Sequence, residues 1–171
     1  MKSNVSTILC AALVGGLLTC PVAAEIEATK AFEQLKNLVG EWQGSREDGS
    51  TATAIYRLSA NGSVLVEEFD VIDREGYDMS TMYHLDGDRL MLTHYCMAKN
   101  QPRMKADLAS SDLNTLRFSF LDATNMKSPE DGHMHSAVFR FVDENEMKQS
   151  WTFRKDGKDS FTEVIRFERT D

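Results

Sequence analysis

Apolar and polar residues alternate along most of this chain, which is the pattern of β-strands that bury one face. Residues 26–39 are the exception, because their apolar positions fall at helical spacing and Gly40 ends the run. Beyond them, β-branched and aromatic segments recur between turn signals such as Asn61-Gly62. The strands predicted in this way are residues 41–46, 51–58, 63–73, 77–84, 89–97, 103–108, 115–121, 133–142, 146–154 and 158–169.

This succession of about ten strands predicts an all-β fold: an antiparallel barrel with one short N-terminal helix. In the later strands one face is apolar and the other is charged. The apolar rows are Leu116, Phe118 and Phe120; Ala137, Phe139 and Phe141; Met147, Gln149, Trp151 and Phe153; and Phe161, Glu163, Ile165 and Phe167. Closing such a sheet into a barrel removes its exposed edges. A two-sheet sandwich fits the same alternation, and the pattern does not choose between them.

The first 24 residues resemble a secretory signal peptide. Lys2 precedes an apolar run, and small residues end at Ala24. The run is too short for a typical transmembrane helix, while a lipoprotein signal ending at Cys20 is a further alternative. We therefore expect a signal peptide at residues 1–24, one domain at residues 25–171, a periplasmic or secreted location, and no membrane span after cleavage.

Charge and cysteine content narrow the function further. The formal net charge is −8 at pH 7, which disfavours nucleic acid as a partner. Cys10 and Cys20 would leave with the leader, so Cys96 has no partner for an intrachain disulfide. The domain must therefore be stabilised by packing.

One short motif resembles a known family. Leu38, Gly40, Trp42 and Gly44 form an L-x-G-x-W-x-G sequence between the predicted helix and the first strand. This is similar to the entry of the calycins, which include lipocalins, fatty-acid-binding proteins and nitrobindin-like barrels, and the chain also resembles secreted bacterial domains of unknown function. The resemblance implies that the tryptophan closes one end of a barrel and that the interior holds a small, mostly apolar ligand.

His94 and Cys96 share a strand face with Leu90 and Leu92, so both are expected to point inward. They could be ordinary core residues or polar fixtures of a ligand site. A Cys–His hydrolase is disfavoured, because two residues along a strand separate the side chains by roughly 6–7 Å.

His133 and His135 form an H-x-H pair that is expected to face the barrel interior with Phe139 and Phe141. Such a pair can chelate a metal, together with His94 and possibly Cys96. The downstream acid of cupin metal sites is missing. In the competing interpretation, the two histidines are partly exposed residues at the polar rim of a loop.

Three further side chains belong to the candidate site. Gln149 lies beside Trp151, and Glu163 occupies an otherwise apolar row, where it could act as a general base or reach solvent at an edge. Glu68 and Asp70, on a face with Val64, Val66 and Ile72, raise the same question.

Met104 belongs to a methionine-rich part of the chain, and methionine suits pliable apolar pockets. Haem has to be considered because nitrobindin-like barrels hold it through a histidine near their C-terminal strands. Here residues 162–169 contain no histidine.

The sequence thus predicts a small-molecule-binding barrel for a hydrophobic or amphipathic ligand. The expected ligand-binding residues are His94, Cys96, Met104, His135, Gln149, Trp151 and Glu163. The alternative is a metal- or haem-binding barrel, or a small enzyme that uses His94 or His135 with Glu163. A binding module is favoured over an enzyme. The sequence identifies no particular cofactor and no oligomeric state.

Overall fold

The computed structural model describes residues 26–170, so the predicted signal peptide lies outside the described residues. It contains one α-helix, ten β-strands and two short 3-10 turns. In chain order the helix and strands are α1 (Ala28–Lys36), β1 (Gly40–Arg46), β2 (Thr51–Ser59), β3 (Val64–Val71), β4 (Met79–Asp86), β5 (Arg89–Tyr95), β6 (Gln101–Ala106), β7 (Thr115–Thr124), β8 (His133–Phe141), β9 (Glu146–Lys155) and β10 (Lys158–Arg169).

The ten strands form one closed antiparallel barrel. Each strand pairs with its neighbours in sequence, and β1 pairs with β10 to complete the ring. The prediction of a ten-stranded barrel with a short N-terminal helix is confirmed, and the sandwich is not adopted. Closure leaves no unpaired strand edge in the ring. No helix among residues 26–170 is long and apolar enough to cross a membrane.

The predicted apolar rows line the barrel interior. Leu116, Phe118, Phe139 and Phe167 are each at most 1% exposed, as expected for inward positions of strands that alternate. On β3 the inner row comprises Leu65, Glu67, Phe69 and Val71. Glu68 therefore lies on the outer face, where it pairs with Arg57.

Helix α1 closes one end of the barrel. It is shorter than the predicted 26–39 helix, and its buried residues Ala28, Ala31, Phe32 and Leu35 form one face. The helix leads into β1 and contacts β4 and β5, which lie on the far side of the ring. A helix of nine residues is roughly 13–14 Å long, and its buried face packs against the core at this end of the barrel. We call this the closed end and the opposite one the open end.

The L-x-G-x-W-x-G motif joins this helix to the barrel wall. Trp42 is buried, its indole N–H donates to the Leu38 carbonyl at 2.8 Å, and the Arg169 guanidinium lies 4.4 Å from its ring centre. Gly40 has φ +130°, which only glycine adopts easily. Trp42 therefore lies at the closed end, as the resemblance implied.

Replacing Gly44 by alanine should destabilise the barrel. A Cβ at this position would lie 2.6 Å from the Phe167 ring and 2.8 Å from Ile165. Both neighbours are packed in the core, so we expect a loss of about 1–3 kcal/mol in the free energy of unfolding. Urea denaturation measures it, with Ser45→Ala, an exposed position on the same strand, as the control. An unchanged midpoint for Gly44→Ala would contradict this packing.

Candidate functional site

A cavity of about 300 Å³ occupies the open half of the barrel. Its wall comes from the strand ends and loops farthest from α1, including Val71 at the end of β3 and Met79 at the start of β4. Most of the lining is apolar: Phe69, Val71, Tyr77, Met79, Met97, Ala98, Met134, Trp151, Phe153, Phe161 and Ile165. Its polar or ionisable lining residues are Arg46, Glu67, Thr81, His94, Cys96, Gln149 and Glu163.

The loop between β5 and β6 supplies one side of the cavity. Its turn is held by the Lys99 N–H, which donates to the Cys96 carbonyl at 2.8 Å, and by the Cys96 N–H, which donates to the Asn100 carbonyl at 3.2 Å. The buried Asn100 amide donates to the Gly132 carbonyl at 2.8 Å. These contacts hold Cys96, Met97 and Ala98 against the cavity.

A directed chain of hydrogen bonds leads from Trp151 to Glu67. The Trp151 N–H can only donate, and it does so to Gln149 Oε1 at 2.9 Å. Gln149 Nε2 must then be the donor to the Tyr56 hydroxyl at 2.6 Å. The Tyr56 proton is thereby left for Glu67 Oε1 at 2.8 Å. Because the indole N–H can only donate, it fixes the donor and the acceptor in every hydrogen bond of this chain.

Glu67 receives donors from several directions and is 2% exposed. The Tyr83 hydroxyl donates to its Oε2 at 2.5 Å. Burial raises the pKa of Glu67 above its usual value, although the surrounding donors oppose that rise. Burial and the nearby carboxyl raise the pKa of both Tyr56 and Tyr83, so both phenols remain protonated donors at neutral pH.

His94 lies next to this network. Its Nδ1 is 2.9 Å from the Thr81 hydroxyl, and its ring faces Trp151 at 4.8 Å between ring centres. Burial lowers the pKa of His94 to about 4, so the imidazole is neutral at pH 7. Its Nε2 is buried and has no hydrogen-bond partner, which is a costly state for a polar atom.

Cys96 lines the cavity without being activated. Burial raises the pKa of its thiol, and the His94 nitrogens are either bonded to Thr81 or without a partner. A thiolate nucleophile needs a nearby base or a lowered pKa. Cys96 is therefore an unactivated thiol in the cavity wall.

Glu163 is held in an ion pair at the cavity wall. Its two carboxylate oxygens accept from Arg46 Nε at 2.8 Å and Nη2 at 2.9 Å, and Arg46 Nη1 donates to Ser50. The Arg46 side chain is 7% exposed, and its guanidinium also lies 5.6 Å from the Tyr77 ring centre. Glu163 is consequently an ion-pair partner, with both of its oxygens engaged.

The two histidines of β8 lie outside the cavity lining. Pairing of β8 with β9 is irregular between Met134 and Ser136, so Met134 takes the inward position opposite Phe153. Both histidines were expected to face the interior with Phe139, and neither of them lines the cavity. His133 and His135 instead contact each other, with 3.1 Å between Nε2 and Nδ1, and both contact the Phe120 ring.

The structure thus brings together five of the seven expected ligand-binding residues. Those in the cavity wall are His94, Cys96, Gln149, Trp151 and Glu163. Met104 is fully buried beside Leu92, outside the cavity lining. Sequence reasoning missed Glu67, Tyr56, Tyr83 and Thr81. Glu67 alternates with Leu65, Phe69 and Val71, but the other row of β3, which contains Glu68, is similarly apolar, so the pattern alone did not single out Glu67.

No group of three or more His, Cys, Asp or Glu side chains within residues 26–170 is arranged to hold a metal ion. The His133–His135 pair has neither His94 nor a carboxylate beside it in such a group. Structural and catalytic zinc sites use three or four protein ligands, and residues 26–170 bring no such set together.

No protein-family model and no curated protein matches the chain. Its structure is similar to the crystal structure of a protein of unknown function from the DUF3598 family of Nostoc punctiforme PCC 73102, with a TM-score of 0.52 and 12% identity. The match covers 80% of this chain and 49% of that one, so the chain spans about half the length of that protein. At this identity the likeness concerns the fold alone.

A second solved structure, EF1p2_mFAP2b bound to DFHBI, matches 82% of this chain and 99% of its own at 10% identity. Its TM-score of 0.32 is too low to support a conclusion about this chain.

Proposed function

We propose that this protein is a calycin-like binding module that takes up a small hydrophobic or amphipathic molecule through the open end of its barrel. The observation that carries the proposal is the apolar cavity, whose wall also contains the buried polar side chains of Thr81, His94 and Gln149. Ligand pockets typically combine apolar walls with a few placed polar groups. The signal peptide expected at residues 1–24 supports action in the periplasm or outside the cell.

The size of the cavity limits the ligand. Its 300 Å³ corresponds to about ten water volumes of ~30 Å³ each, at the lower end of the range for ligand pockets. A molecule on the order of 10–15 non-hydrogen atoms would fill it. Haem is larger than this cavity, and β10 has no histidine to hold it. The proposed function therefore does not involve haem.

The geometry favours binding over acid–base chemistry. Glu163 is engaged on both oxygens by Arg46, and Glu67 is enclosed by hydroxyl and amide donors. A general base must be free to reach the proton that it abstracts. Both carboxylates instead form hydrogen bonds with other side chains around the cavity.

Filling the cavity tests the proposal. Val71 is 1% exposed and lines the cavity, so Val71→Trp should occupy much of it with an indole. We expect wild-type protein to bind butylbenzene, as measured by amide chemical-shift changes in an NMR titration. In Val71→Trp the affinity should fall by at least about tenfold, because the ligand and the indole compete for one volume.

Val66→Trp is the matched control, since it makes the same change on the outer face of the same strand. It should bind butylbenzene like the wild type, and thermal denaturation should show that both variants fold. Absence of binding to the wild type, or equal binding by all three proteins, would overturn the proposal.

A further inference from the structure

An ion pair lies in the otherwise apolar wall near the open end of the cavity. Arg46 is the last residue of β1, and Glu163 of β10 occupies the inner row between Phe161 and Ile165. Both members of the pair line the cavity, and their side chains are 7% and 25% exposed. Charged groups in such a place are costly unless they are paired. Their arrangement therefore decides which charge a ligand can carry.

All three guanidinium nitrogens of Arg46 are engaged within the protein. Nε and Nη2 donate to the two carboxylate oxygens of Glu163 at 2.8 and 2.9 Å. Nη1 donates to the Ser50 hydroxyl at 2.9 Å. A bidentate pair of arginine and carboxylate is among the strong side-chain interactions. The positive charge of Arg46 is thus already matched inside the cavity wall.

The charges behind this pair also cancel. Asp48 lies 3.5 Å from Arg46 and accepts a hydrogen bond from Arg74 at 2.8 Å. The Tyr77 ring centre lies 5.6 Å from the Arg46 guanidinium and 5.5 Å from that of Arg74. Together with Glu163, these residues form a cluster that contains two charges of each sign. The cluster leaves no excess positive charge at this side of the cavity.

The inner end of the cavity has no counter-charge for an acidic ligand either. Its N–H donors are used internally, because Trp151 donates to Gln149 and the Gln149 amide donates to a tyrosine hydroxyl. Burial lowers the pKa of His94 to about 4, so its imidazole is neutral at pH 7. Among the described residues that line the cavity, Arg46 is the one lysine or arginine. Glu67 is an acid, and it can add only negative charge.

We infer that the ligand is an uncharged molecule and that the Arg46–Glu163 ion pair sets this preference. The inference rests on the proposed function and names the charge of the ligand. A carboxylate that entered the cavity would lose its hydration without gaining a counter-ion, and it would approach the charge of Glu163. A cation would lose its hydration beside Arg46 in the same way. A neutral polar group avoids both penalties.

Three probes of similar size and different charge test the preference. 4-Butylbenzamide is neutral, 4-butylbenzoate is an anion and 4-butylbenzylammonium is a cation. At pH 7 wild-type protein should bind the benzamide at least about tenfold more tightly than either ion, because the ions lose hydration without compensation. Isothermal titration calorimetry measures the three affinities. Equal affinity for all three probes, or tightest binding of either ion, would overturn the inference.

Glu163→Gln assigns the preference to the ion pair. The change keeps the shape of the side chain and removes its charge, so Arg46 can then pair with a carboxylate of the ligand. The affinity for 4-butylbenzoate should rise at least about tenfold relative to that for 4-butylbenzamide. Glu68→Gln is the matched control, since Glu68 pairs with Arg57 on the outer face, and it should keep the wild-type ratio. An unchanged ratio in Glu163→Gln would overturn the inference.

Arg46→Gln is the mirror experiment. It leaves the Glu163 carboxylate without its counter-ion, so the affinity for 4-butylbenzylammonium should rise relative to that for the benzamide, and a gain for the benzoate instead would contradict the inference. Thermal denaturation shows whether each variant folds, and the comparison of probes on wild-type protein needs no variant. If butylbenzene binds and the benzoate binds as tightly as the benzamide, the inference alone fails. If neither butylbenzene nor any of the three probes binds, the proposed function fails with it.

Discussion

Glu67→Ala is expected to lower the free energy of unfolding by about 3–5 kcal/mol, because it leaves several buried donors without an acceptor. The Tyr56 and Tyr83 hydroxyls both donate to this carboxyl, and Gln149 Nε2 lies 3.3 Å from it. Each of these groups is fully buried or nearly so, so water cannot replace the lost oxygen without entering the core. Equilibrium denaturation in urea measures the change.

Glu68→Ala is the matched control for this loss. The side chain is 51% exposed and pairs with Arg57 on the outer face of the barrel, so its removal should cost about 0–1 kcal/mol. Glu67→Gln keeps one acceptor oxygen and should fall between the two alanine variants. Equal losses of stability at positions 67 and 68 would contradict the network of buried hydrogen-bond donors around Glu67.

Leu35→Ala is expected to destabilise the protein by about 2–5 kcal/mol, since it opens a cavity beneath the helix that seals the barrel. Leu35 is fully buried, and Phe32 and Leu38 belong to the same core cluster. The helix contacts strands on the far side of the ring, so its buried side chains fill the core at the closed end of the barrel. Thermal or urea denaturation measures the effect.

The same chemical change at Leu58 provides the control. Leu58 lies near the end of β2 and is 47% exposed, so Leu58→Ala should alter stability by no more than about 0.5 kcal/mol. A small loss at Leu35, comparable with that at Leu58, would mean that the helix does not seal the barrel end.

The sequence predicted the strands and most inward positions because period-two alternation directly reflects a barrel wall. His94 and Cys96 followed from their row with Leu90 and Leu92, and both line the cavity. Gln149, Trp151 and Glu163 were found by the same reasoning. Closure of the ring was not predictable in this way, because alternation describes the faces of a strand and leaves its distant partner open.

Two features of the site escaped this reasoning for physical reasons. In β3 both alternating sets contain valine or leucine and an acidic residue, so the pattern did not show that Glu67, rather than Glu68, faces inward. In β8 the irregular pairing near Ser136 inserts one extra residue, which moves Met134 to the cavity and His135 away from it. A bulge changes which residues of a strand face inward, and the hydrophobicity of the sequence shows no marked change there.

The pairing of β1 with β10 has a consequence for the order of folding. Trp42 lies opposite Arg169, so the contact that completes the ring joins segments from nearly opposite ends of the described chain. The other strand pairs are neighbours in sequence and can form as successive hairpins. Loop-closure entropy makes the most distant pairing slow. During synthesis β1 therefore has to keep one edge unpaired until β10 is made, which leaves that edge exposed to pairing with other chains in the meantime.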